Sequence, residues 1–263
     1  MIFRRIDKAT YAIATIASLV IILPMVALLT KVPWATLIER LREPNSISAI
    51  KLSLWSSLLA AVIVVVLGVP LAWFLARGSD RVTNVLRPLV LAPIVLPPTV
   101  AGMALLALLG RNGLLGRYIF QLTGWSMPFT SSAVVLVGVF VGMPFLALIV
   151  ESTFRQLPRD LEDAAVTDRA SALTLFLCIA LPQSRNGIAT GALLAWARAL
   201  GEFGATMMFA GSLPGRTQTW PMQVYFAMDV DMGTAYALSA VMVFVAVAVV
   251  FALRKHLRNA FIQ

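Results

Sequence analysis

Six stretches of this chain are long and apolar enough to cross a lipid bilayer, and that limits what it can fold into. They run over residues 11–30, 49–76, 88–109, 131–150, 187–211 and 235–253. At 1.5 Å per helical residue each reaches across about 30 Å of hydrocarbon. Composition agrees: 60% of residues are hydrophobic and 13% are charged, against roughly a quarter charged in soluble domains. In hydrocarbon a span must satisfy its backbone internally, so an all-α integral membrane fold with about six transmembrane helices is expected.

Charge sets the orientation. Arg4, Arg5, Lys8, Arg77, Arg81, Arg87, Arg155, Arg159, Arg169, Arg185, Arg254, Lys255 and Arg258 fall on one side of the alternating spans. Only Lys31, Arg40, Arg42, Arg111, Arg117 and Arg216 fall on the other. Lys and Arg collect in cytoplasmic loops, so both termini are expected inside. The net charge of +9 is therefore a topology signal. No basic run or aromatic-interleaved patch points to nucleic acid. The first apolar run is too long for a secretory signal core and reads as a retained span. Cys178 and His256 are single residues of their type, so neither an internal disulfide nor a Cys/His metal site is expected.

Two spans carry irregular features. The third opens with Pro88, Pro93, Pro97 and Pro98. Proline removes an amide donor, so this span either breaks at membrane depth or starts late. The fifth carries Gly187, Gly191, Ala195 and Ala199 at four-residue steps. Such a stripe permits close helix approach, within one chain or between two.

The 151–186 stretch is the most patterned inside loop. Asp160 can cap a helix, with Glu162 and Asp163 in the first turn at its positive end. Leu161, Ala164 and Ala165 then share a face. A second helical stretch over 172–181 is expected to stop at Pro182. The run Asp163-Ala164-Ala165, then Arg169, then Ile179, then Leu181-Pro182 resembles the EAA signature of ABC importer permeases. That signature reads Glu-Ala-Ala, three residues, Gly, nine residues, Ile, one residue, Leu-Pro. The spacing fits without a gap. Asp163 stands for Glu, a mild change. Arg169 stands for Gly, which at such a turn supplies a positive φ that Arg adopts only at a cost. The bend either differs here or Arg169 makes a contact of its own. The resemblance implies a coupling helix docked on an ATPase subunit, with Leu161, Glu162, Asp163, Ala164, Ala165, Arg169, Ala170, Ser171, Leu181 and Pro182 as its residues.

Further runs narrow the family. Leu96 to Gly102, Ala197 to Thr206 and Pro214 to Thr219 resemble the molybdate permeases within that group; sulfate and thiosulfate permeases share parts of these patterns, so tungstate, sulfate and thiosulfate stand beside molybdate as substrates. The resemblance covers about 49–253 and implies a type I importer permease fold. It divides the chain into an N-terminal span and outer loop (1–48), a permease domain (49–253) with its loop at 152–186, and a cytoplasmic tail (254–263). Arg198 and Glu202 lie four apart on one helix face and can pair. They either line a translocation path or fix the fifth span against its neighbours. Thr206, Thr217, Gln218 and Thr219 are gate or docking candidates near the outer face, because neutral donors hold tetrahedral oxyanions well, and Arg216 joins them as a pathway candidate.

No G-x-x-x-x-G-K-[ST] loop occurs, so ATP is expected on a separate subunit and no cofactor on this chain. The resemblance implies a homodimer, two cytoplasmic ATPase subunits, an extracytoplasmic oxyanion-binding protein and surrounding membrane lipid. A channel would need a polar pore repeat, and an intramembrane enzyme would need paired catalytic groups. Neither pattern is present. A membrane-impermeant thiol label on Ala164→Cys, in a Cys178→Ser background, is expected to react from the cytoplasmic side. Reaction from outside alone overturns the topology.

Overall fold

The computed structural model describes residues 7–158, 160, 167 and 169–260, and these are helical with irregular joints. Helix α1 (Lys8–Thr30) is capped by Asp7, whose carboxylate accepts the Thr10 N–H at 2.7 Å. It buries none of its residues and rests on the last helix, Met232–Ala260. A short helix α2 (Leu37–Leu41) leads into α3 (Pro44–Arg77), which starts on a proline at its first position, where the amide would be orphaned anyway. Helix α7 (Ser131–Arg155) is the central element. Its Thr130 cap accepts the Ala133 N–H at 3.2 Å.

Helix α9 (Arg185–Leu200) lies antiparallel on α7, and the small-residue stripe is the contact. Gly187 faces Thr153, Gly191 faces Leu146 and Val150, Ala195 faces Gly142, and Ala199 faces Gly138. The stripe is thus spent inside the chain. Gly138 also meets Ala60 of α3, so three helices close at one point. Ala60, Val64, Ala72, Leu146, Val150 and Ala195 pack around this junction as one core.

Among the described residues four helices are each long and apolar enough to cross a membrane, or five spans if one bent pair counts as one, and two of the six expected spans are not continuous. The third divides into α4 (Asp80–Leu91), a 3-10 turn (Ala92–Ile94) and α5 (Pro98–Leu109). The two helical arms are bent by 116°. The prolines therefore break the span rather than delay its start. Helix α4 exposes Val82, Val85 and Leu89 and turns Arg87 inward. A short helix α6 (Gly116–Thr123) follows α5 on the outer side. The fifth span also breaks: after α9, residues 201–203 leave helical geometry and α10 (Gly204–Ala210) begins. This corrects the expectation of one helix over 187–211. Helices α5 and α10 start side by side, with Gly204 against Pro98 and Gly102 against Ala205.

Three further expectations are corrected. The fourth span continues past 150 to Arg155, which places Glu151 inside a helix. Pro182 does not stop its helix: α8 (Ala172–Gln183) runs through it. A stretch of π geometry at Phe176–Ala180 widens the turn ahead of the proline ring. The outer 212–234 stretch holds helix α11 (Trp220–Val230), which turns at Asp231 into α12 (Met232–Ala260).

Adding a methyl group at Gly138 would bring it to 2.8 Å from the Ala60 Cβ and 3.3 Å from the Ala199 Cβ. Gly138→Ala is therefore expected to destabilise the bundle by about 1–3 kcal/mol, read as a lower melting temperature in detergent. An unchanged melting curve would contradict this three-helix junction.

Candidate functional site

The arginine-rich end of the bundle is tied by one buried carboxylate. Glu151 accepts the Nε–H of Arg87 at 2.8 Å and that of Arg155 at 2.9 Å on the same oxygen. Arg87 and Arg155 each also donate to the Leu75 carbonyl, and Arg77 donates to the Phe154 carbonyl at 2.8 Å. These are last-turn carbonyls of α3 and α7, which lack partners within their own helices. Cations there also suit the negative helix ends. Reading 155 as a loop hid this clasp; Glu151 and Arg155, four apart, were the available signal.

Next to the clasp sits the candidate coupling loop. Leu161, Glu162, Asp163, Ala164 and Ala165 lie outside the described residues. Arg169 is described, and its φ is +56°, in the left-handed region. The bend that glycine serves in the family pattern is thus adopted here by arginine. Ala170 follows, and Ser171 caps α8 by accepting the Thr174 N–H at 3.1 Å. Leu181 packs into the core, while Pro182 is exposed. Phe176 of α8 joins Trp73 of α3 and Phe154 of α7 in an aromatic trio with centroids 5.0–6.3 Å apart. The loop therefore leads directly into a helix bolted to the ends of both central spans.

At the break in the fifth span, Arg198 and Glu202 form an ion pair at 2.5 Å. Glu202 is 3% exposed, while the Arg198 side chain is 31% exposed. The other Glu202 oxygen accepts the Ala205 N–H at 2.8 Å. Glu202 thus holds the first turn of α10 while Arg198 balances its charge. This is a structural role for the acid, and it leaves part of the guanidinium open. Thr206 is buried in the first turns of the same half-helix.

The remaining candidates lie apart, toward the outer end. Arg216 is exposed, and its carbonyl accepts from the Ser131 hydroxyl at 2.8 Å. Thr217, Gln218 and Thr219 are buried rather than loose in an outer loop. The Thr217 hydroxyl accepts the Leu213 N–H at 2.9 Å, and the Leu213 carbonyl takes three amides in return. Trp220 pins this turn: its backbone N–H reaches the Ser53 hydroxyl at 2.7 Å and its ring N–H the Leu238 carbonyl at 3.2 Å. Ser57 accepts the Trp196 ring N–H at 3.0 Å. These α3 serines escaped the sequence reading because hydroxyls in an apolar run carry no charge signal.

A second tie closes the outer end. Arg40 pairs with Asp231, and Thr234 accepts from Arg40 and donates to Asp231 at 2.7 Å. The Thr234 hydroxyl, helped by the Gly233 N–H and Arg40, holds the Asp231 carboxyl below its ordinary range. A lowered carboxylate pKa contributes stability above the unfolded value of about 3.9 and loses it as pH falls further. The tie stays charged at neutral pH. Among the described residues no group of three or more His, Cys, Asp or Glu side chains is placed to hold a metal.

Left-handed geometry costs a non-glycine residue about 1–2 kcal/mol. Arg169→Gly removes that strain and adds unfolded-state freedom, so a gain near 1 kcal/mol or less in thermal stability is expected. A clear loss would show that Arg169 makes a contact worth more than the strain.

Comparison with known proteins now fixes the family. The molybdenum transport system permease protein ModB of Mycobacterium bovis is 42% identical over 228 residues, covering 87% of this chain and 86% of the relative. The probable transport system permease protein NifC of Clostridium pasteurianum is 33% identical over 229 residues, covering 86% and 80%. A crystal structure of a bacterial ABC transporter involved in the import of the acidic polysaccharide alginate matches with a TM-score of 0.75 at 18% identity. That match covers 96% of both chains and shows a shared fold. The family model for the binding-protein-dependent transport system inner membrane component matches residues 68–263. The chain belongs to that family of multi-pass inner-membrane transport components.

Proposed function

We propose that this chain is the membrane-spanning subunit of an ATP-driven importer of molybdate. Two copies would form the pathway, two cytoplasmic ATPase subunits would drive it, and an extracytoplasmic binding protein would deliver the oxyanion. The substrate reading rests on the names of its relatives. The drive reading rests chiefly on one observation: Arg169 keeps the left-handed bend that the EAA pattern needs. That bend sets the direction in which the chain enters α8 after the Asp163-Ala164-Ala165 run, whose two small alanines suit a close approach to a partner surface.

The path from ATP to gate follows the contacts. A push on the loop moves α8, and Phe176 passes it to Trp73 and Phe154. The Glu151 clasp makes the ends of α3, α4 and α7 move as one body. The α7–α9 stripe carries the displacement to the break at 201–203. There the open part of Arg198 attracts the oxyanion, and Glu202, already engaged with Ala205 and Arg198, keeps that attraction from becoming a trap. A fully unpaired arginine would bind a dianion too tightly for turnover.

Labelled molybdate uptake in cells lacking their own permease tests this. ATP-dependent uptake is expected, inhibited by excess tungstate and little affected by sulfate. Sulfate competing as well as molybdate would reassign the substrate, and conduction without ATPase subunits would overturn the importer reading. Arg198→Gln is expected to lower uptake at least about tenfold, a loss near 1.4 kcal/mol in the transport barrier. Glu202→Gln keeps the acceptor for Ala205 and should fold, with slower release. Near-normal uptake by a well-folded Arg198→Gln variant removes this pair from the path.

A further inference from the structure

At the outer end, the start of α3, the turn before α11, α11 itself and the first turn of α12 enclose a recess of about 340 Å³. Its polar lining is Glu43, Asn45, Gln218, Gln223, Asp231 and Thr234. Glu43 and Asn45 stand exposed at the rim, while Gln218 and Gln223 are 7% and 9% exposed. The Gln218 and Gln223 side-chain amides make no hydrogen bond to another described residue. Their amide atoms are not sealed from solvent but open onto the recess, so two largely buried side chains present donors and acceptors there that a group arriving from outside the chain can use.

The charges say which kind. Asp231 is balanced by Arg40, but among the described residues the Glu43 carboxylate is met only by the Thr234 hydroxyl at 3.2 Å. That hydroxyl also lies 2.7 Å from Asp231 and has one proton to give. The recess is therefore net negative, on a chain of net charge +9. An oxyanion would be repelled by Glu43. A cationic head would find carboxylate oxygens at the rim and amide carbonyls on the floor, and its aliphatic stem could lie along Phe226 and Ala227.

We propose that this recess is a socket for a lysine or arginine side chain of the extracytoplasmic binding protein. The inference rests on the importer reading above and adds the chemistry of docking. Engagement there would bear on the Arg40–Asp231 tie through the shared Thr234 hydroxyl, so docking and the outer end of α12 are coupled.

The test is the affinity of the permease–ATPase complex, in lipid nanodiscs, for the molybdate-binding protein of the same organism. Glu43→Lys is expected to weaken binding at least about tenfold and to flatten its salt dependence. Glu43→Gln, the milder change, and Gln223→Leu should each weaken it about threefold or more, with melting temperatures within a few degrees of the parent complex. Parent-like affinity in folded Glu43→Lys and Gln223→Leu complexes overturns the socket while leaving the importer reading intact. Failure of the parent complex to bind any oxyanion-binding protein overturns that reading itself. A melting temperature raised by potassium, sodium or spermidine in the parent, and not in Glu43→Gln, assigns the recess to a free cation and overturns docking.

Discussion

Inside a bilayer no water is at hand for an exposed amide or carbonyl, and this constraint governs the two places where the chain stops being helical. An unmet backbone group at that depth is unfavourable by several kcal/mol. The third span meets the demand by deletion. Pro93, Pro97 and Pro98 have no N–H to leave unmet, and Pro98 starts α5 where a free amide would otherwise point at nothing. The fifth span meets it by provision. Glu202 brings an acceptor to the first turn of α10, and Arg198 makes the buried charge tolerable. Because α5 and α10 begin side by side, the two solutions serve one level of the molecule.

Rigid packing then turns these irregular points into part of a mechanism. Helices α3, α7 and α9 approach so closely that several contacts involve no side chain beyond a methyl group. Such surfaces shift as units rather than flex, because interior packing has no slack to absorb displacement. At the cytoplasmic end the Glu151 clasp ties α4 to α3 and α7, and the Trp73–Phe154–Phe176 trio binds the loop's outgoing helix to this block. At the outer end Arg40, Asp231 and Thr234 bind α2 to the α11–α12 corner. Both ends of the block are thus held by polar ties, with a largely apolar, small-residue middle between them.

Much of this was legible beforehand where the signal was local. Apolar length marked the spans, the bias of Lys and Arg gave their orientation, and the 163–182 spacing exposed the loop. The oddity of Arg169 in a glycine position was also visible, and its φ of +56° shows that backbone geometry outranked side-chain preference there. Other features were not legible because they depend on distant partners. Arg40 and Asp231 are 191 residues apart in sequence. Glu151 looked like the first residue of a loop because apolar counting ends at Val150, yet hydrogen bonding carries α7 another turn. Thr217, Gln218 and Thr219 looked like solvated loop residues, yet Trp220 draws them under cover.

The sequence by itself determined that the chain spans a membrane, and its bias of Lys and Arg set the orientation expected of it. Those properties follow from transfer free energy and charge, which act residue by residue. Only the tertiary structure decided where the spans break, that the glycine stripe is used within the chain, and that Glu202 holds a half-helix. Those depend on which backbone groups lose their water when helices close on one another, and no local pattern records that.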